Sequence, residues 1–248
     1  MKLIQVEDYQ DMGKKAAEII LDRVRNTENI VLGLATGGTP ISTYENIVQD
    51  HQTNGTSYQH VTSFNLDEYI GVRPDHPNSY HTFMYKHLFH HINIPQEKIF
   101  LPNGMAEQQQ ECRDYEQRIR EHGGIDLQVL GIGENGHIGF NEPGTAFDST
   151  THVVDLAEST RQANARFFES MEDVPKQAIT MGIGSILRSK EILLLIAGEA
   201  KSKALAQLLD KQVDEQFPAS ALHHHANVTV IADKAALQHT NVNTPLTF

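Results

Sequence analysis

The chain has 248 residues, 39% of them apolar and 21% charged, a composition that excludes a disordered or fibrous protein and is long enough to bury a sizeable core. Acids outnumber bases 32 to 20, and the net charge of -12 speaks against a diffuse nucleic-acid surface or an anionic-membrane surface. The single cysteine, Cys112, excludes an internal disulfide and fits a reducing compartment.

The first fifteen residues hold only Leu3-Ile4 as an apolar pair before Glu7 and Asp8, so no signal-peptide core is present there. The longest strongly apolar run, 192–197, is far shorter than the roughly 20 residues of a membrane-spanning helix. A cytoplasmic protein without a membrane partner is expected. A helical pattern over 8–25 leads to a β-branched run at 29–35 (NIVLGLA), then a helix at 40–49 and a strand at 61–65. Helices follow at 79–91 and 107–122, a strand at 125–130, a helix at 160–171 and a strand at 178–181. The chain closes with strands at 191–197 and 227–232 around a helix at 199–209. Near-continuous apolar strands alternating with helices predict an α/β fold: an open, mostly parallel, doubly wound sheet of Rossmann-like type with helices on both faces. No linker or repeat divides residues 1–248, so one domain is expected, with 240–248 as a loose tail. In such folds ligands bind beyond the carboxyl ends of the strands, and the loops there carry the chemistry.

After the first apolar strand come Thr36-Gly37-Gly38-Thr39-Pro40. Two glycines let backbone N–H groups turn toward a ligand at a helix N-terminus, which suits phosphate; Thr39 is placed to cap the helix and Pro40 to begin it. No Gly-Lys-Ser/Thr follows, so the loop is not a Walker A motif, and a plain strand-to-helix turn is the alternative. Phe64-Asn65-Leu66-Asp67-Glu68-Tyr69 puts two adjacent carboxylates at another strand end. Alternation of side chains lets only one of them face a site, and an acid-rich helix start would read the same way.

Gly131, Gly133 and Gly136 satisfy G-x-G-x-x-G after a strand, but Gly139, Asn141, Pro143 and Gly144 break the helix that a dinucleotide fingerprint requires. The segment instead gathers Glu134, Asn135, His137, Asn141 and Glu142 in one loop, and a carboxylate near a histidine fixes its tautomer and tunes its basicity. Lys201 falls in the first turn of a predicted helix, where a cation is disfavoured by about 0.3–1 kcal/mol unless an anion is bound. Arg166 stands inside another, just before Phe167 and Phe168. Of fourteen histidines, five lie between His76 and His91 and three are consecutive at His223 to His225; no H-E-x-x-H occurs, and His87 with His91 lacks a further ligand.

Taken together, LGLATGGTP (32–40), SFNLDEYIG (63–71), DHPNSYHTFM (75–84), GIGENGHIGFNEPG (131–144), TRQANARFF (160–168) and GEAKSKAL (198–205) resemble the glucosamine-6-phosphate deaminase family over nearly the whole chain. The related 6-phosphogluconolactonases share a Gly-His loop but lack the Phe-Asn-Glu-Pro run. The resemblance implies isomerisation of glucosamine 6-phosphate and release of ammonia to leave fructose 6-phosphate, with no cofactor and no metal. It implies Asp67 as the base moving a proton from C2 to C1, His137 as the group aiding ring opening, and Glu142 as its carboxylate partner. It also implies Thr36, Gly37, Gly38 and Thr39 as the phosphate loop, with Arg166 and Lys201 as side-chain clamps.

Two positions depart from the family pattern. Asn135 stands where the family often has Asp; Asn cannot act as a base, so the proton path leans on His137 and Glu142. Larger members are hexamers activated by N-acetylglucosamine 6-phosphate through a basic pair, and the matching positions here are His152 and Val154. A monomer or small homo-oligomer without that regulation is expected. The alternatives are a sugar-phosphate lactonase or isomerase of the same fold, and a non-catalytic sugar-phosphate sensor.

Overall fold

The computed structural model describes residues 1–158, 161, 162, 165, 168 and 170–240. In chain order the elements are β1 (Lys2–Val6), α1 (Tyr9–Asn26), β2 (Val31–Leu34), α2 (Ile41–Asn54), β3 (Thr62–Asn65), β4 (Asp67–Tyr69), α3 (Tyr80–His87), β5 (Ile99–Phe100) and α4 (Gln108–Glu121). Then come β6 (Leu127–Leu130), β7 (His152–Asp155), β8 (Gln177–Thr180), α5 (Ile183–Leu187), β9 (Glu191–Ile196), α6 (Ser202–Leu209) and β10 (Val228–Asp233). Arg166, half of the helix expected over 160–171, and the tail beyond Thr240 lie outside the described residues.

Seven strands form a wholly parallel sheet in the order β1-β10-β9-β6-β2-β3-β5. Its central strands are buried along their whole length, which is why they read as apolar runs without alternation. One face packs on Met12, Ile20 and Val24 of α1, Tyr44 of α2 and Met84 of α3; the other packs on Tyr115 and Ile119 of α4 and Leu205 and Leu208 of α6. α1 begins where the Asp8 carboxylate accepts the Asp11 N–H at 2.9 Å. The doubly wound α/β expectation is met.

The structure adds a second sheet. The predicted strand at 178–181 forms as β8, but it pairs antiparallel with β4 and β7 in the order β4-β8-β7, outside the parallel sheet. Asp67 pairs with Thr180 in this small sheet, while its neighbour Leu66 closes the large one through its N–H to Leu34 O at 3.1 Å. The two sheets therefore meet at Leu66-Asp67.

Two further expectations are corrected. Thr39 does not cap α2: the helix starts one residue later, Pro40 occupies the cap position without a side-chain bond, and the Ser42 N–H goes to the Tyr9 hydroxyl at 3.1 Å instead. The predicted helix at 199–209 opens as a 3₁₀ turn, Glu199–Lys201, before α6. The histidine triplet is engaged in the fold: His223 Nε2 meets Leu208 O at 2.7 Å, His225 Nε2 meets Ser189 O at 2.7 Å, and the His224 ring lies edge-on to Phe147. No described helix is long and apolar enough to cross a membrane.

Candidate active site

The chain adds β3 and β5 on one side of β2, then returns to place β6, β9 and β10 on the other. The strand order thus reverses between β2 and β6, the point at which doubly wound sheets open a crevice. Because β9, β6, β2 and β3 are successive neighbours, the loops after all four stand side by side at the carboxyl edge. They enclose a cleft of about 460 Å³, lined by Thr36, Gly37, Gly38 and Thr39 after β2, Asp67 after β3, Gly131, Gly133 and His137 after β6, and Lys201 after β9.

At the β2 loop, Gly37 takes φ +89°, a left-handed backbone open to glycine, and no heavy atom lies within 4 Å of where its Cβ would be. The loop is buttressed by Tyr9, whose hydroxyl donates to Gly38 O at 2.7 Å while accepting the Ser42 N–H. Lys201 faces the same cleft; burial lowers its pKa and Glu134 opposes that. Its loop is tied down at Gly198, whose N–H meets both oxygens of the buried Asp233 carboxylate at 3.0 Å. A glycine-rich backbone and an ammonium at one end of the cleft have the chemistry to hold an anion.

The β6 loop contains no helix, and its glycines serve the histidine instead. Gly133 N–H bonds His137 O at 2.9 Å, and the imidazole lies flat on Gly133: a Cβ there would stand 2.2 Å from the ring. Asn135 Nδ2 donates to Glu142 Oε2 at 2.7 Å, which orients the amide. Its Oδ1 then accepts the His137 backbone N–H at 3.2 Å and faces His137 Nδ1 at 2.8 Å. An amide oxygen can only accept, so Nδ1 carries the proton and Nε2 is left as the acceptor. Burial lowers the His137 pKa, with Lys201 acting the same way and Glu142 and Glu134 against, so the ring is neutral at neutral pH. The Glu142 carboxylate lies 3.7 Å from Nδ1 and also holds the intervening amide. Asn141, a neighbour of these polar groups in the sequence, is fully buried and holds the loop by donating Nδ2 to Ile138 O and Met181 O, both at 2.8 Å.

Of the two adjacent acids, Asp67 faces the cleft and Glu68 points away beneath α3. Alternation along β4 separates them. Asp67 is 6% exposed, and its carboxyl is pushed up to about 8, first by burial and then by the Glu68 charge. A carboxyl of that kind can give and take a proton near neutral pH.

Asp67, His137, Lys201 and the loop 36–39 are thus brought to one cleft, with Asn135 and Glu142 behind the histidine. Tyr9 and Tyr80, also in the wall, escape sequence reasoning. Tyr80 sits within the DHPNSYHTFM run, but nothing in the spacing of Tyr9 links it to a loop 29 residues on.

Residues 6–231 match the family model described as Glucosamine-6-phosphate isomerases/6-phosphogluconolactonase. The chain belongs to this family. It is similar to a glucosamine-6-phosphate deaminase of Geobacillus sp. (strain WCH70), 58% identical over 96% of this chain and 95% of the relative. A relative from Bacillus subtilis (strain 168) named glucosamine-6-phosphate deaminase 1 is 52% identical over 95% and 98%. A solved monomeric glucosamine-6-phosphate deaminase superposes with TM-score 0.94 at 52% identity, covering 95% of this chain and 98% of the other. The 6-phosphogluconolactonase of Thermotoga maritima, at 21% identity and TM-score 0.73 over 94% and 98%, shares the fold of this family member.

Proposed function

We propose that the chain converts glucosamine 6-phosphate and water to fructose 6-phosphate and ammonia. The observation that carries this reading is the union, in one cleft, of a buried carboxyl able to titrate near neutral pH, a neutral histidine with a free Nε2, and an anion nest. Relatives at 50% identity and above that bear the deaminase name support it.

The phosphate rests on the N–H groups of Thr36, Gly37, Gly38 and Thr39 and on Lys201, with Arg166 as a second clamp. This remote binding orients the sugar for the steps at C1 and C2. His137 Nε2 takes the proton of the anomeric hydroxyl and returns one to the ring oxygen, which opens the pyranose to the aldehyde. The C2 hydrogen is then α to a carbonyl. Asp67 removes it while the carbonyl oxygen O1 takes up a proton, which gives an enolamine. Asp67 then delivers its proton to C1, and the amine gives up one N–H proton, so that the double bond ends as a C2 imine beside a C1 hydroxyl. Water adds to that imine, and ammonia leaves. Asn135 and Glu142 hold His137 in the tautomer that the first step needs, and no cofactor or metal enters.

Ammonia release from glucosamine 6-phosphate, coupled to glutamate dehydrogenase, tests the reading. Stoichiometric ammonia is expected. Turnover of 6-phosphogluconolactone without ammonia would instead establish a lactonase, and tight binding without turnover a sensor.

Lys201→Ala removes one charged donor, worth about 1.5–3 kcal/mol. It should weaken glucosamine 6-phosphate and inorganic phosphate in parallel, by roughly ten- to a hundredfold. Equal inhibition of both proteins by phosphate would remove Lys201 from the phosphate site.

We further propose a cytoplasmic monomer with hyperbolic kinetics, in keeping with the monomeric solved relative. An anionic activator needs cationic or donor groups that differ between two states. At the positions matching the basic pair of larger members, Val154 offers no donor, and His152 engages Thr150 O through Nδ1 at 2.7 Å. Rates measured with and without N-acetylglucosamine 6-phosphate should superpose; a sigmoidal curve made hyperbolic by that compound would contradict this.

A further inference from the structure

The mechanism uses only one of the two acids in β4. Glu68 is 3% exposed and does not line the cleft. Its Oε1 accepts the N–H groups of Tyr69 at 2.9 Å and Tyr80 at 3.0 Å, and its Oε2 accepts that of His81 at 2.9 Å. Tyr80 and His81 supply the first free donors of α3, and the next, Thr82 N–H, goes to the Ser79 hydroxyl at 2.9 Å. The helix start is therefore saturated, with Glu68 supplying the part that Ser79 cannot reach.

An exposed acid would cap a helix as well, and burying a carboxylate is unfavourable unless its bonds are complete. The burial makes a joint across twelve residues of chain, between the strand that carries Asp67 and the turn that carries Tyr80. Tyr80 reaches the cleft wall with its ring 4.8 Å from Tyr69 and nearly parallel to Phe140 at 6.1 Å. Its hydroxyl donates to that of Tyr69 at 3.3 Å, and it lines the cleft together with Thr36 of the β2 loop. One carboxyl group thus ties a residue of the cleft wall to the strand bearing Asp67.

We propose that Glu68 is a positioning residue for the reaction: its carboxyl group bolts the first turn of α3 to β4, which sets Tyr80 in the wall beside Asp67 and keeps an acidic neighbour next to Asp67. This rests on the reading of Asp67 as the base. The titratable groups interacting with Asp67 are Glu68 and Tyr69 from β4, Tyr80 from α3 and Tyr115 from α4, while Tyr9, His137 and Lys201 are the others lining the cleft. Burial holds all three tyrosines above their ordinary range, so they stay neutral, and Glu68, raised by burial against three N–H donors, is the carboxyl group among these neighbours. The pair is divided by surroundings: Glu68 has three N–H donors opposing its burial, whereas Asp67 accepts no hydrogen bond among the described residues.

The test is Glu68→Gln, read on the ligand-free protein by the pH titration of the Asp67 carboxyl ¹³C resonance and by amide hydrogen exchange. Gln keeps the size but presents an NH₂ where His81 needs an acceptor, and it carries no charge. The Asp67 midpoint should fall by about one unit, and the His81 amide should exchange at least tenfold faster. The acid limb of kcat/KM should move down with the midpoint. An Asp67 midpoint that stays in place or rises overturns the proposal, whatever happens to kcat, because a merely structural role lowers activity without moving it. Should the variant not fold, the unmodified protein decides: Glu68 must ionise at lower pH than Asp67, and the reverse order overturns the proposal. A lowered midpoint alongside a fully active Asp67→Asn variant would instead sink the assignment of the base.

Discussion

Asp67→Asn should cut turnover of glucosamine 6-phosphate by about 10²–10⁴-fold, the range for a positioned acid-base group. Binding of the substrate should be nearly unchanged, since the phosphate loop and Lys201 are untouched. Exchange of the C2 hydrogen with solvent should fall as far as turnover does; exchange at the parent rate would remove Asp67 from the mechanism. The same variant should be more stable in alkali. The Asp67 carboxyl is raised from 3.8 to about 8 in the fold. The protonated form is the one the fold favours, so its contribution is whole below the ordinary carboxylate range and lost as pH rises through about 8. Asn carries no such charge, so its melting temperature should exceed the parent's most clearly above that pH. Activity runs the other way: the base must be ionised, so the parent's kcat/KM should climb toward pH 8. A residue that destabilises the fold where it is most active is a known compromise at catalytic centres.

Gly133→Ala should abolish most activity although Gly133 carries no reacting group. The added Cβ would lie 2.2 Å from His137 Cε1, 2.3 Å from Nδ1 and 2.5 Å from Nε2. The ring must move, and the Asn135 bond that fixes its tautomer goes with it. A loss of about 10²-fold or more in kcat/KM is expected, with an overpacking penalty of about 1–3 kcal/mol in stability. If the methyl acts through the histidine, His137→Ala alone should lose a similar amount, and the double variant should lose little more than either. Additive losses in the double variant would show that Gly133 acts by another route.

Much of this arrangement is legible in the sequence, for a physical reason. Strands buried on both faces read as near-continuous apolar runs, so β2, β6, β9 and β10 stand out, and their loops follow. β1 is harder to read: it lies at the sheet edge with only Leu3 buried, and its pattern is short and mixed. Apolar character marks β8 as a strand but does not say what it pairs with, because pairing with β4 and β7 joins distant segments. The cap on α2 illustrates the same limit. Thr39 is locally suited to the task, yet Tyr9 arrives from α1 and takes the donor. Alternation predicts that Asp67 and Glu68 diverge, but the three N–H groups on Glu68 depend on where α3 begins in space.

The most direct test of the central claim is product analysis in ²H₂O. Glucosamine 6-phosphate incubated with the protein should yield fructose 6-phosphate and ammonia in equal amounts, with deuterium entering at C1 where Asp67 delivers its proton. Recovery of unlabelled glucosamine 6-phosphate with no ammonia, from protein that still binds it, would contradict the account.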